Sequence, residues 1–261
     1  MNRETYLATL KKKFIGIGVK KNSTLIVCAD VLKFLILIKK DKVSIKLDDF
    51  IDLLIELVGK KGTLIFYSFN WNFFNGKIFD FKNSKSFSGA ISNCALKRKE
   101  FKRSKNPVYS LLVYGKYQSK ICNMKHEDCF NENSPFGFLL NKNTKCLFFD
   151  LDYKNTAFPF FHVAEQKIKV YYRFFKKFSG KIYNGKIIKS IYIKMFVRKD
   201  NYKITTIYSE KTDDLLRKNK ALNTDNLFDI KISLLNIKKL YTLTLSQLSI
   251  EEKMLIRKKT C

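Results

Sequence analysis

The chain has 261 residues, of which 46% are hydrophobic and 15% aromatic, so it can bury a sizeable core within one domain. Its longest uninterrupted apolar run, Phe34 to Ile38, is far shorter than the roughly 20 residues of a bilayer-crossing helix, which excludes a transmembrane segment. The amino terminus has no continuous apolar segment with a cleavage site, and we therefore expect a cytoplasmic protein.

The formal net charge of +28 at pH 7 raises nonspecific affinity for polyanions. The lysines are nevertheless spread from Lys11 to Lys259, and no nucleic-acid motif accompanies them. Lysine, asparagine, isoleucine and phenylalanine are abundant together, a pattern that biased coding composition also produces. We therefore expect no specific nucleic-acid partner.

The six cysteines show no CxxC spacing, which argues against a zinc site and against a disulfide framework. Cys122 and Cys129 bracket His126, but three soft ligands at irregular spacing do not favour a metal. The sequence therefore predicts no metal cofactor.

Helices and strands alternate in the first third of the chain. Apolar spacing predicts a helix over residues 3–15, a buried strand over 24–27 that turns at Cys28, a helix over 47–58 and an apolar strand from Gly62. Residues 31–38 fit either a helix or a strand. This alternation predicts an α/β fold with three α/β/α layers and a mostly parallel central sheet.

The remainder of the chain is richer in strand patterns. Two alternating stretches around Asn184-Gly185 predict a hairpin, residues 201–241 mix strand and helix patterns, and Ser249 precedes a segment that suggests a final capped helix. No flexible linker interrupts the sequence. We expect one domain over residues 1–261 with a smaller β-containing C-terminal lobe over about 181–261.

Side chains at strand ends are the first candidates for a site, because the carboxyl ends of parallel strands meet at one edge of a sheet. Cys28, residues 67–70 and residues 150–152 each follow a predicted strand. We expect them to converge on one cleft.

The segment Ala157 to Gln166 holds one of only two histidines, and Glu165 follows His162 by three residues. Residues three apart lie on one face of a helix, so imidazole and carboxylate can touch. A histidine oriented by a carboxylate is suited to general-base catalysis. An isolated HxxE is more often a histidine beside a surface glutamate. The surrounding sequence must therefore decide between that interpretation and a general base.

Those surroundings resemble a known family. Six blocks occur in family order: GVKKNSTLIV (Gly18 to Val27), GTLIFYSFNWNF (Gly62 to Phe73), SFSGAIS (Ser86 to Ser92), RSKNP (Arg103 to Pro107), ENSPFG (Glu132 to Gly137) and NTAFPFFHVAEQ (Asn155 to Gln166). Together they span about residues 16–180 and resemble the aminoglycoside 3-N-acetyltransferase family. The form AFPFFHVAEQ followed by VYYRFFKKFSG more closely resembles the branch that acylates amino sugars carried on nucleotides.

The resemblance implies an enzyme that transfers an acyl group directly from acetyl-CoA, or another short acyl-CoA, to an amine. His162 would take the proton of the amine, and Glu165 would orient the imidazole. The implied cofactor contacts are Cys28, Ala29, Asp30, Arg103, Ser104 and Ser134. The acceptor contacts suggested beside them are Tyr67, Asn70 and Asn106.

The chain departs from the family pattern at two places. Where the family usually has histidine, two serines and leucine after the first strand, this chain has Cys28, Ala29, Asp30 and Val31. An acidic Asp30 facing a pyrophosphate is unfavourable, so its side chain points away or the site has changed. The family's histidine before proline is replaced by Asn106.

Three functions follow from these observations. The first is an acyl-CoA-dependent N-acyltransferase acting on an amino sugar, one linked to a nucleotide and used in surface-glycan synthesis. The second is an aminoglycoside 3-N-acetyltransferase that confers antibiotic resistance. The third is a basic binding protein of the same fold that has lost catalysis. A covalent route through Cys28 is a mechanistic alternative, and the oligomeric state is open, including a homo-oligomer.

Overall fold

The computed structural model describes residues 1–156, 158–204 and 210–258, so Ala157 of the histidine block lies outside the described residues. The strands are β1 (Thr24–Ala29), β2 (Thr63–Tyr67), β3 (Phe79–Asp80), β4 (Lys102–Arg103), β5 (Leu111–Gly115), β6 (Lys145–Phe149), β7 (Arg173–Tyr183), β8 (Ile188–Arg198), β9 (Tyr202–Ile204), β10 (Leu222–Leu227), β11 (Ile230–Asn236) and β12 (Ile256–Lys258).

The helices complete the architecture. They are α1 (Arg3–Gly16), α2 (Leu32–Lys40), α3 (Leu47–Val58), α4 (Ala90–Lys97), α5 (Gln118–Asn123), α6 (Pro135–Leu140), α7 (Pro159–Ile168), α8 (Glu210–Lys218) and α9 (Ile237–Ile250), with short 3-10 helices at Asn72–Asn75, Tyr153–Asn155 and Glu252–Leu255. Among the described helices, none combines the length and apolarity that a bilayer crossing requires.

The central sheet has seven strands in the order β10-β11-β6-β1-β2-β5-β4. The neighbours β6–β1 and β1–β2 are parallel, whereas the outer pairs are antiparallel. Following these pairings across the sheet, only β5 and β11 run against the other five strands. The prediction of a mostly parallel sheet is confirmed, with its parallel part at the centre.

Both faces of this sheet are covered. Along β1, Leu25 and Val27 belong to one buried cluster, whereas Ile26 and Cys28 belong to the other. Successive side chains of a strand point to opposite faces, so the two clusters lie on the two sides of the sheet. Helices α1 to α4 contribute to the first cluster, and α5, α6, α7 and α9 to the second. The predicted three-layer α/β/α arrangement is confirmed.

The N-terminal predictions hold with one correction. Helix α3 covers the predicted residues 47–58, and Gly59 follows it with φ 66°. The ambiguous segment 31–38 is helical because Phe34 and Ile38, four residues apart, are both buried. The predicted turn at Cys28 is wrong by two residues, because β1 continues to pair with β6 through Ala29.

The C-terminal part joins the main body of the protein. Strands β7 and β8 form the predicted hairpin, with Asn184 Oδ1 accepting the amides of Lys186 and Ile187 across the turn. Strand β11 pairs with β6, so β10 and β11 extend the central sheet. A smaller sheet contains β3, β7 and β8.

The predicted final capped helix from Ser249 is wrong. Ser249 lies in the last turn of α9, and its Oγ donates to the carbonyl of Leu245. The side chain that caps α9 is Asn236, which accepts the amide of Lys239. Residues 252–258 form a 3-10 turn and a short strand, and residues 259–261 lie outside the described residues.

Gly115 at the end of β5 allows a close approach of two strands. Its φ is +90°, and an added Cβ would lie 2.3 Å from the carbonyl oxygen of Gly62. We expect Gly115→Ala to lower the free energy of unfolding by about 3 kcal/mol or more, because the strain of a positive φ adds to a backbone clash. The measurement is chemical denaturation.

The matched control is Gly185→Ala in the hairpin turn, where φ is +93° and nothing lies within 4 Å of the added Cβ. Gly185→Ala introduces only the conformational strain of a positive φ, which should lower the free energy of unfolding by about 1–2 kcal/mol. Equal losses for the two variants would show that the contact with Gly62 is unimportant.

Candidate active site

Helix α7 carries the histidine and glutamate of the HxxE segment. Pro159 occupies its first position, where a missing amide hydrogen costs nothing and the fixed φ favours a helix. Phe160 and Ala164 anchor α7 in the core and are fully buried. His162 Nδ1 and Glu165 Oε2 lie 2.8 Å apart, the contact that their spacing predicts.

Glu165 is only 3% exposed and is surrounded by partners. Besides His162, the Nε of Arg173 lies 2.9 Å from Oε2, and the hydroxyl of Tyr172 donates to Oε1 at 3.0 Å. Burial by itself would raise the pKa of Glu165, but the Arg173 cation and the contact with His162 lower it below the ordinary value. The group is therefore a carboxylate near neutral pH.

Arg173 is itself buried, with its Nη1 donating to the carbonyl of Phe196 at 3.1 Å. Arg173 and Tyr172 were not among the residues predicted for the site, although both belong to the quoted segment VYYRFFKKFSG. The signal that could have identified them is chemical, because a buried carboxylate requires a cation or several hydrogen-bond donors.

The contact with Glu165 assigns the imidazole tautomer. Because Nδ1 faces a carboxylate, it carries the hydrogen and donates, which leaves Nε2 as the basic nitrogen. Within the described residues, no group hydrogen-bonds to Nε2. The His162 side chain is 18% exposed, so the ring has an opening to solvent.

The pKa of His162 is lowered from its ordinary value. Burial and the positive charge of Arg173 lower it, and Glu165 partly opposes them. Because the shift is downward, the imidazole is neutral at pH 7 and is able to accept a proton.

A cavity of about 500 Å³ lies at the carboxyl edge of the central parallel strands. Cys28 at the end of β1, Tyr67 at the end of β2 and Leu151 just after β6 all line it. The expected convergence of these strand ends is confirmed. Its volume falls within the range of small-molecule sites.

The start of α4 forms one wall of this cavity, through Ser88, Gly89 and Ala90. Gly89 precedes the helix with φ +102°, and no side chain caps the first amides of α4. Unpaired amides at a helix start favour phosphate groups. These residues belong to the SFSGAIS block, but none of them was predicted to bind the cofactor.

Asp30 also lines the cavity, and its carboxylate is already occupied. Its Oδ1 accepts the amide of Leu32 at the start of α2, at 2.9 Å. The side chain is therefore turned toward α2, and an anion could reach that amide only by displacing it. This arrangement favours the start of α4 over the start of α2 as the phosphate contact.

Four of the predicted contact residues come together in the cavity, namely Cys28, Ala29, Asp30 and Tyr67. Two further side chains, Phe69 and Trp71, complete an apolar wall.

Arg103 and Ser104 do not join them. Arg103 donates to Ser110 Oγ and to the carbonyls of Ser68 and Ser84, and burial lowers its pKa to about 10. Ser104 is fully buried, and its Oγ accepts the amide of Leu111. Both residues hold loops together, and neither lines the cavity.

Ser134 is also a structural residue, because its Oγ caps α6 by accepting the amide of Gly137 and donates to the carbonyl of Asn131. It is fully buried and does not line the cavity.

The two predicted asparagine contacts are buried as well. Asn70 Oδ1 accepts the amide of Asn72, and Asn106 Oδ1 accepts the amides of Val108 and Tyr109. Their side chains therefore shape turns, and the structure does not place them in the cavity.

His162 does not line the cavity directly. Its ring centroid lies 5.1 Å from that of Phe130, which lies 4.9 Å from Tyr109. Tyr109 in turn contacts Phe69 and Trp71 of the cavity wall. A chain of aromatic contacts therefore connects the imidazole to the wall of the cavity.

The described residues contain no cluster of side chains suited to a metal ion. Within residues 1–156, 158–204 and 210–258, no three histidine, cysteine, aspartate or glutamate side chains are grouped so as to hold an ion. His126 is a half-buried histidine whose pKa is lowered mainly by its partial burial.

Comparisons with known proteins agree with this fold. A family model described as aminoglycoside 3-N-acetyltransferase matches residues 39–249. The chain belongs to this family of N-acetyltransferases. It is accordingly an N-acetyltransferase that uses acetyl-CoA as its co-substrate. A comparison with curated protein sequences gave no match.

Several solved structures share the fold. AAC-IIIb bound to CoASH has a TM-score of 0.77 at 16% identity, with 94% of this chain and 96% of that one covered. AAC-VIa bound to sisomicin has a TM-score of 0.74 at 13% identity, with coverages of 94% and 97%. The YokD protein from Bacillus subtilis has a TM-score of 0.73 at 16% identity, with coverages of 93% and 98%.

We expect His162→Ala to lower kcat by about a hundredfold or more, because it removes the proposed base. In the parent protein, the acidic limb of kcat/KM should lie below pH 6.5, since the pKa of His162 is lowered. Thiol release from acetyl-CoA across a pH series measures both. A limb above that pH, or an active His162→Ala enzyme, would contradict this assignment.

We expect Glu165→Gln to lower the free energy of unfolding by about 3–5 kcal/mol, because it leaves the buried Arg173 unpaired. His162→Gln is the matched control and should cost much less, because the imidazole is neutral at pH 7. Denaturation of both variants at that pH compares them. Similar stabilities would show that the Glu165–Arg173 pair does not support the fold.

Proposed function

We propose that the protein acetylates an amino group of an aminoglycoside-type amino sugar, with His162 as the general base. The observation that carries this proposal is the arrangement of the imidazole. Its Nδ1 faces a buried carboxylate at 2.8 Å, whereas Nε2 has no hydrogen-bond partner within the described residues. Such a group is oriented, neutral and accessible.

The chemical difficulty of this reaction is the acceptor amine, which is largely protonated near neutral pH. His162 Nε2 takes the proton, and Glu165 stabilises the imidazolium that forms. Arg173 limits this stabilisation, since its charge lowers the pKa of His162. The base is therefore free of its proton at the start of each turnover.

The cavity at the strand ends fits the acyl donor. Bound acetyl-CoA supplies the thioester whose acyl group is transferred. Phe69, Trp71 and Cys28 offer apolar walls, and the uncapped amides at the start of α4 offer donors for phosphate oxygens. The Asp30 carboxylate also lines this cavity, and its hydrogen bond with the amide of Leu32 turns it toward α2.

Direct transfer is better supported than a covalent route through Cys28. This thiol is 8% exposed, and its Sγ lies 3.8 Å from Cys146 Sγ. His162, the base that a thiol nucleophile would need, directs Nδ1 to Glu165 instead. Cys28→Ala should therefore remain active.

The identity of the acceptor has two candidates. The first candidate, an aminoglycoside, is supported by the description of the matching family and by the sisomicin-bound neighbour AAC-VIa. A nucleotide-linked amino sugar used in surface-glycan synthesis is the second candidate. Its supporting observation is charge, because residues 173–198, which begin at Arg173 of the site, contain eight basic and no acidic residues.

A binding protein without catalysis is the weakest candidate. The departures at Cys28 to Val31 keep it under consideration, but the His162–Glu165–Arg173 arrangement is complete.

We also place the reaction in the cytoplasm, where acyl-CoA donors occur. The five cysteines in the described part of the chain are all free, as in a reducing compartment.

The purified protein is incubated with acetyl-CoA and three acceptor sets, namely aminoglycosides, free amino sugars and nucleotide-linked amino sugars. We expect thiol release with aminoglycosides, abolished in His162→Ala and retained in Cys28→Ala. Turnover restricted to nucleotide-linked sugars would replace the first candidate by the second. Absence of both turnover and calorimetric acetyl-CoA binding would favour the binding protein.

A further inference from the structure

The β7–β8 hairpin has an exposed end that the acetyl transfer does not use. Residues 184–190, which form the turn and the start of β8, are all exposed. At about 3.3 Å per residue, the ten steps from Arg173 to Tyr183 place this end roughly 30 Å from Arg173 of the site. We call residues 181–190 the hairpin tip.

The hairpin tip combines aliphatic and cationic side chains. Ile187 and Ile188 are 51% and 55% exposed, although isoleucine is usually buried. Lys181, Lys186 and Lys189 are exposed beside them. Farther along the hairpin, Phe174, Phe175 and Tyr192 are each more than 40% exposed. Exposed apolar groups concentrated in one element usually mark a contact surface.

Charge defines the partner further. The hairpin as a whole contains no acidic residue, and the carboxylate of Glu127 lies beside Tyr192 of β8, outside the tip. Near the turn, Asp80 of β3 pairs with Tyr183 through the backbone. Its carboxylate is already engaged by the amides of Lys82 and Asn83. A second copy of this hairpin would be repelled by the same charge, whereas an anionic partner would be attracted.

The tip is held in position rather than free. Strand β3 pairs with the distal part of β7 through Phe79 and Ile182. Phe74 contacts the ring of Phe178 at 4.6 Å between centroids, and an added Cβ at Gly180 would lie 2.5 Å from Phe73. A supported hairpin can insert apolar side chains without losing much conformational freedom.

We propose that the hairpin tip docks the enzyme on an anionic lipid surface. Ile187 and Ile188 would enter the boundary between headgroups and acyl chains, and the three lysines would contact acidic headgroups. Single-stranded nucleic acid fits less well, because bases stack on aromatic rings, and the most exposed apolar side chains of the tip are aliphatic. This proposal is independent of the acceptor.

The full chain is tested by co-sedimentation with two vesicle types, one of phosphatidylcholine alone and one of equal parts phosphatidylcholine and phosphatidylglycerol. We expect binding to the anionic vesicles only, weakened by high salt. The double variant Ile187→Ser with Ile188→Ser should lower the partition coefficient about tenfold or more. Changing Lys181, Lys186 and Lys189 to Gln should lower it about a hundredfold.

Matched controls separate the tip from general surface properties. Ile15 and Ile36 are 53% and 59% exposed elsewhere, and their double change to Ser should leave binding unchanged. Changing the exposed Lys12, Lys20 and Lys40 to Gln removes the same charge and should have a much smaller effect. Acetyl-CoA binding by calorimetry verifies that each variant is folded.

Three results would overturn the proposal. One is vesicle binding that responds equally to the tip variants and their controls. Another is binding of a fluorescent single-stranded oligonucleotide without any binding to anionic vesicles. The third is tip-dependent self-association in sedimentation without vesicle binding. Each of these is read without an acceptor substrate, so none depends on the proposed acetylation.

Discussion

The buried carboxylate of Glu165 is the group on which the active site depends. It holds Nδ1 of His162 and thereby assigns the basic nitrogen, and its negative charge offsets the buried cation of Arg173. Tyr172 supplies a further donor. Because a charge in the protein interior is tolerated only when it is paired, the same contacts stabilise the fold and prepare the base. Catalysis and stability are therefore coupled through one side chain.

The central sheet determines where the acyl donor can bind. Strands β6, β1 and β2 are parallel neighbours, so their carboxyl ends open at one edge and leave a cavity between the following loops. Asp30 follows β1 at this edge and lines the cavity. The carboxylate of Asp30 accepts the amide of Leu32 at the start of α2, whereas no side chain caps the first amides of α4.

The large positive charge has no single explanation within the acetyl transfer. Much of it is distributed over the surface, in agreement with a compositional origin, but the hairpin of residues 173–198 excludes acidic residues entirely. Its base belongs to the active site through Arg173, and its tip exposes Ile187 and Ile188. One element thus contributes to catalysis at one end and presents a contact surface at the other.

The local sequence pattern by itself determined several features of this protein. Periodicity was sufficient to predict α3 and the hairpin, and the three-residue spacing was sufficient to predict the contact between His162 and Glu165. These features depend on residues that are neighbours along the chain. Tertiary structure alone decided that Arg173 faces Glu165 and that Ser104 turns inward to the amide of Leu111. A sequence pattern shows that a residue is buried or polar, whereas its partner is selected by strand register and by turns between elements. The final segment after Ser249 shows the same limit, because the end of α9 is set by its start at Asn236 and by its packing on α7.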